Sequence, residues 1–112
     1  VQNRLKRDNV IQRAIRTEEW KLILSESRSM RGYLLDGYLY NLESDPEEEV
    51  NLYHMPNKTG QYLHYEPHTQ QIAHLAKQLR GHAERIDDVR GIEIADLCLL
   101  EMHKRSNHEA TG

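Results

Sequence analysis

The sequence predicts an α+β fold, a small antiparallel sheet of three to four strands packed against a C-terminal amphipathic helix. Two patterns carry that expectation. Apolar and polar residues alternate through residues 20–27 and 38–42, the period of half-buried strands, and residues 10–17 alternate less regularly. Between residues 69 and 87 the period becomes helical, with one apolar stripe on an otherwise polar surface. No internal repeat or low-complexity segment competes with this reading.

The elements follow in order. Residues 1–9 are a basic lead-in with Arg4, Lys6 and Arg7, opposed by Asp8. Strands are expected over 10–17 and 20–27. In the second, Trp20, Leu22 and Leu24 share one face and Lys21 and Ser25 the other. Thr17, Glu18 and Glu19 make a short connection, so an antiparallel hairpin is the economical reading. Ser25 to Gly32 reads as a polar loop with Gly32 as a breaker. Asp36-Gly37 is a hairpin-turn dipeptide, with 33–35 as a short partner strand or a lead-in, and Tyr38, Tyr40 and Leu42 make the next strand.

Ser44-Asp45-Pro46-Glu47 carries the signals of a helix start: a capping side chain, a proline suited to the first turn and acids near the positive dipole end. Asn51 and Pro56 would close that helix quickly, and 53–67 reads as a long loop with Pro56, Gly60 and Pro67. The long helix at 69–87 aligns Ile72, Leu75, Ala76, Leu79, Ala83 and Ile86. Gly91 interrupts. In 92–104, Ile92 and Ile94 alternate like a strand while Ala95, Cys98 and Met102 fit a helical stripe; the helix is favoured. Ser106 to Gly112 is expected to fray.

Composition narrows the function. The 112 residues suit one domain, and with 38% hydrophobic residues, 29% charged and a mean hydropathy of -0.84, apolar material is scarce. With 6 Tyr, 1 Trp and no Phe, the large apolar groups mostly carry a polar end, which suits half-buried sites and interfaces. One ordered domain resting on something else is expected. The net charge of -3 argues against a nucleic-acid partner, because the basic stretch from Arg4 to Arg16 is short and Glu43, Asp45, Glu47, Glu48 and Glu49 oppose it. Cys98 is the single cysteine, which excludes an internal disulfide and a Cys-rich zinc site. No apolar run is long enough to span a membrane, and no signal-peptide pattern is present. The first methionine is Met30, so further sequence is expected upstream of Val1.

Two motifs stand in a specific order. Arg16-Thr17-Glu18-Glu19-Trp20-Lys21-Leu22-Ile23 is followed by Gly37-Tyr38-Leu39-Tyr40-Asn41-Leu42-Glu43-Ser44-Asp45-Pro46-Glu47-Glu48-Glu49-Val50-Asn51-Leu52. Together they resemble the C-terminal region of sulfatases of the alkaline-phosphatase-like superfamily. There an Arg-Thr, an aromatic-Lys pair and an apolar strand precede Leu-Tyr-Asp/Asn-Leu, Asp-Pro-x-Glu and Asn-Leu. The matching positions are Arg16, Trp20, Lys21, Leu39, Tyr40, Leu42, Asp45, Pro46, Asn51 and Leu52, and turn and capping chemistry gives each a structural task. An alternative task is available at Arg16 or at the Thr17–Trp20 hairpin tip, which could line the rim of a neighbouring active site. The resemblance spans roughly residues 10–88 and leaves 89–112 as an extra helix and tail.

What the resemblance implies is a non-catalytic C-terminal portion of a sulfuric ester hydrolase, packed on a catalytic domain in the same polypeptide or a separate chain. The parent would carry a Cys/Ser-x-Pro-x-Arg segment, whose Cys or Ser becomes formylglycine, and a divalent cation, calcium. It would work in the periplasm, outside the cell or in the lysosome if typical of exported sulfatases, with a cytoplasmic setting still open. Cys98, in Leu97-Cys98-Leu99-Leu100, lacks the Pro and Arg of that segment and reads as a buried thiol. The substrate, and sulfatase against phosphonate or phosphate esterase, stay open. The alternative is a free-standing interaction module that reuses the fold and self-associates as a homo-oligomer. A third reading, a metal-dependent hydrolase on His64, Glu66 and His68, is weakened by the Glu66-Pro67 break, and His74 and His82 add no converging ligand set. Asn57-Lys58-Thr59 fits a glycosylation acceptor, a pattern that also arises by chance.

Overall fold

Alternation decides the first half of the chain and helical periodicity the second. A computed structural model describes residues 10–29, 32–54 and 68–111. It contains β1 (Val10–Arg16), β2 (Trp20–Ser29), β3 (Gly32–Asn41), α1 (Thr69–Arg85) and α2 (Val89–Thr111). The lead-in 1–9, the loop centre 55–67 with Asn57, His64 and Glu66, and residues 30–31 lie outside the described residues.

The three strands form one antiparallel sheet in the order β1-β2-β3. Its register aligns Ile15, Leu22 and Leu39 in one row and Arg13, Leu24 and Gly37 in the next. Period two then sends those side chains to one face, and α1 and α2 cover it. Leu22, Leu24 and Leu39 pack there with Ile72, Leu75, Ala76 and Leu79 of α1, Ile94, Ala95, Cys98 and Met102 of α2, and Tyr53. The α+β expectation is met, and the favoured helix after Gly91 exists. Its span is longer than expected, running from Val89 to Thr111 through both Gly91 and the tail.

Four local expectations fail, each for a physical reason. Ser25–Ser29 is strand and not loop, because every residue from Ser25 to Ser29 has a partner on β3, ending with Ser29 opposite Gly32. Asp36-Gly37 is not a turn either. It lies in mid-β3 opposite Ser25 and Leu24, where a Cβ on Gly37 would overlap the Tyr53 ring. The glycine serves close approach, not chain reversal.

Ser44-Asp45-Pro46-Glu47 starts no helix. The Asp45 carboxylate accepts from the N–H groups of Glu49 and Val50, at 3.0 Å each, which is further along the chain than a helix cap reaches. Glu48, at φ 56°, breaks any helical continuation. These backbone donors hold the Asp45 carboxyl below its usual pKa.

Gly91, finally, does not separate elements; Asp87 and Asp88 do. Asp88 N–H donates to Ala83 O at 2.8 Å and Asp87 N–H to Glu84 O at 3.3 Å, with Asp87 in the left-handed region at φ 57°. That pair of bonds closes α1 as a Schellman motif. Asp88 then caps α2, its carboxylate accepting from Gly91 N–H at 3.1 Å. A Cβ at position 91 would collide with that carboxylate and press on Ala83, so glycine lets the two helices meet at their hinge.

Candidate functional site

The ten motif residues divide between the two faces and the rim of the sheet. Leu39 is fully buried, and Trp20 and Leu52 pack at the edge of the same core. Trp20 also meets the His68 ring at 6.0 Å between centroids, and burial lowers the His68 pKa. Thr17 fixes the hairpin that presents Trp20. Its N–H donates to Trp20 O at 2.8 Å and its hydroxyl accepts from Trp20 N–H at 3.0 Å.

Lys21 and Tyr40 point to the opposite face, where Lys21 Nζ lies 3.2 Å from Glu48 of the following turn. Leu42, just past β3, is tied back to the hairpin by its N–H to Glu19 O at 2.6 Å. Asp45 shapes the turn, Pro46 is exposed on it, and Arg16 is exposed at the end of β1.

Asn51 has the most connected position of the set. Its Oδ1 accepts from the N–H groups of Leu39 (3.0 Å) and Tyr53 (2.9 Å), while its Nδ2 donates to Gly37 O (3.0 Å). With Leu52 N–H donating to Leu39 O at 2.8 Å, one amide side chain and one backbone group satisfy the free edge of β3 at Gly37 and Leu39. An edge strand is a template for unwanted pairing, and this one is closed along Gly37–Leu39.

Tyr53 then locks the turn onto α2. Its hydroxyl donates to Glu101 Oε1 at 2.8 Å and sits 3.5 Å from Cys98 Sγ. Arg105 lies over the ring at 5.0 Å and donates to Tyr53 O at 3.0 Å. Burial pushes the Cys98 thiol up to about 11, and burial drives the Tyr53 phenol well above its ordinary range. These contacts make the cluster a clasp between the turn and α2.

The outer face of the sheet is the candidate site. Ala14, Ile23 and Tyr38 form one of its rows, and Arg16, Lys21 and Tyr40 another. Leu34 is 68% exposed there, and Val10, two strands across the same end, is also exposed. Tyr38 OH donates to Asp36 Oδ2 at 3.1 Å, which raises its pKa. Among the described residues no helix covers this face. Its chemistry is that of binding: half-buried tyrosines, an isoleucine and a lysine already paired.

Among the described residues no three His, Cys, Asp or Glu side chains converge on a point where a metal could sit. The calcium implied by the resemblance therefore has no fitting ligand set among them, and His68 of the His64-Glu66-His68 reading is engaged with Trp20. No described helix is long and apolar enough to cross a membrane. Sequence reasoning named Asn51 but not its edge-closing task, gave Gly37 a turn in place of its contact with Tyr53, and missed Tyr53 and Asp88. Their partners are too distant in sequence for a local pattern to show. No protein-family model matches the chain, and a search of curated proteins finds no significant match.

Proposed function

We propose that this chain is the non-catalytic C-terminal portion of a sulfatase-like sulfuric ester hydrolase, whose sheet packs on a larger catalytic domain and helps shape its substrate cleft. The carrying observation is the asymmetry of the sheet. One face is sealed by two helices, while the other carries Ile23, Leu34, Tyr38 and Tyr40 with no described helix or strand over it and only the Glu48 turn reaching its Lys21 end. Such a face in so small a domain is an association surface. Further support comes from the motif residues. Trp20, Lys21, Leu39, Asp45, Asn51 and Leu52 each hold a named contact in the hairpin, the turn or the core, as a scaffold segment requires.

The test has two parts. The reading frame upstream of Val1 is expected to encode a Cys/Ser-x-Pro-x-Arg segment, and the purified chain supplied with calcium is expected to leave 4-nitrophenyl sulfate intact. An upstream frame without that segment, or turnover by the chain unaided, overturns the proposal. The same bare face also supports the second reading, a self-associating module. Sedimentation of the chain alongside its upstream domain separates the two: a mixed complex favours the appendage, and a homo-oligomer that ignores the domain favours the module.

A further inference from the structure

Most described cations in this chain have a carboxylate beside them. Arg13 pairs with Asp88 at 2.7 Å, Lys21 with Glu48 at 3.2 Å, Arg80 with Asp96 at 2.6 Å and Glu84 at 3.0 Å, Arg90 with Glu93 at 3.2 Å, and Arg105 with Glu101 at 3.3 Å. The exceptions among described side chains are Arg16, Lys77, Arg85 and Lys104. Three of those four line a single open cleft of about 620 Å³ between β1 and α1. Thr17, Gly81 and His82 line it too, and among the described residues no carboxylate does. The protein as a whole is acidic, at -3, so this concentration is not a by-product of a basic chain.

The local geometry explains how the cations come together. Lys77, Gly81 and Arg85 are spaced i, i+4, i+8 and so share one face of α1. The acid nearest in sequence, Glu84, is held by Arg80 on another face. Arg16 belongs to an outer-face row, and because β1 is the edge strand it reaches the opening around the free edge at the end of that strand. Counting back from the Thr17–Trp20 bond, the antiparallel alternation turns the N–H groups of Ala14 and Arg16 toward the free edge of the sheet, beside the same opening. Gly81 is a second indication. A glycine inside a helix costs about 1 kcal/mol relative to alanine. Yet among the described residues a Cβ here would meet only Arg85 Nη1, at an ordinary 3.7 Å. Packing does not require this glycine, and its effect is to keep the floor of the cleft open.

We infer that the β1–α1 cleft is a binding site for a multivalent oxyanion, a ligand bearing sulfate or phosphate ester groups, held by Arg16, Lys77 and Arg85. Uncompensated cations around a concave surface focus a positive potential. Guanidinium groups match tetrahedral oxyanions through paired N–H donors, and Lys77 adds a point charge. The site stands on this chain's own charges and does not depend on the activity of any parent enzyme.

The test is an amide NMR titration of the full chain at low ionic strength with sucrose octasulfate and, separately, inorganic tripolyphosphate, with sucrose as the uncharged control. Shifts are expected to centre on residues 14–17 and 77–85 and to weaken as salt is raised. The Lys77→Gln/Arg85→Gln double variant should bind about tenfold more weakly, and Lys104→Gln should bind as the parent does. All three side chains are at the surface, so the variants should keep the parent's far-ultraviolet circular dichroism. Binding of either probe at the cleft supports the site, and the tighter one identifies the ester. Three results overturn it: no binding, shifts centred on the Arg4–Arg7 segment, or a double variant that binds like the parent.

Discussion

Gly37 and Asn51 show how single residues in this protein carry tertiary decisions. Gly37 lies against the Tyr53 ring, and any side chain there must displace it. Gly37→Ala is expected to destabilise the fold by about 1–3 kcal/mol, the range for overpacking a filled site, as read by urea unfolding. Asn51→Ala removes three hydrogen bonds to backbone groups of Gly37, Leu39 and Tyr53. A loss of about 1–3 kcal/mol is expected from leaving those groups without protein partners. Hydrogen exchange gives the sharper measurement: the Leu39 amide should lose protection in the variant while the Leu22 amide keeps it.

At the scale of elements, the hinge between α1 and α2 concentrates the chemistry. Asp87 holds a left-handed conformation that glycine adopts without a Cβ penalty. Asp87→Gly should therefore stabilise the chain by about 0.5–2 kcal/mol, as helix-cap optimisation commonly does, measured as a raised urea midpoint. Asp88 has the opposite character. The Arg13 guanidinium, with Nε at 2.7 Å, and then the Gly91 N–H depress its pKa to about 2. A carboxylate with a folded pKa below its unfolded value of 3.8 contributes stability that is present above pH 3.8 and is lost as pH falls through about 2. Asp88→Asn keeps an acceptor for the cap but removes the charge. Its thermal midpoint should lie several degrees below the parent at pH 7, and the gap should shrink between pH 4 and pH 2. A gap independent of pH would mean that the Arg13 pairing contributes nothing to it.

For the whole molecule, the question is what meets the outer sheet face. Leu34 is 68% exposed there, so Leu34→Lys changes no packing within the chain and should alter stability by less than about 0.5 kcal/mol. A lysine on that face opposes docking of an apolar partner. Sedimentation velocity should show weaker association for Leu34→Lys than for the parent, whether the partner is an upstream domain or a second copy. Equal association would move the interface elsewhere on the molecule. The same scale explains why two surfaces coexist: the outer face is half apolar, while the β1–α1 cleft is cationic and faces solvent.

The sequence by itself determined the periods. It was enough to specify two strands joined at Thr17–Trp20, a third strand ending near Leu42, the helix on Ile72, Leu75, Ala76 and Leu79, and hence the α+β class. Those features rest on side-chain spacing, which the backbone geometry of strand and helix imposes locally. Only the tertiary structure decided the roles of Asp36-Gly37, Ser44–Glu47 and Gly91, because turn dipeptides and capping residues are signals that several conformations satisfy. Contacts far along the chain chose among them. The Tyr53 ring filled the space over Gly37, and Arg13 reached Asp88 across 75 residues to fix the hinge. The same long-range packing chose which face of the sheet the two helices cover and brought Arg16 to the opening lined by Lys77 and Arg85.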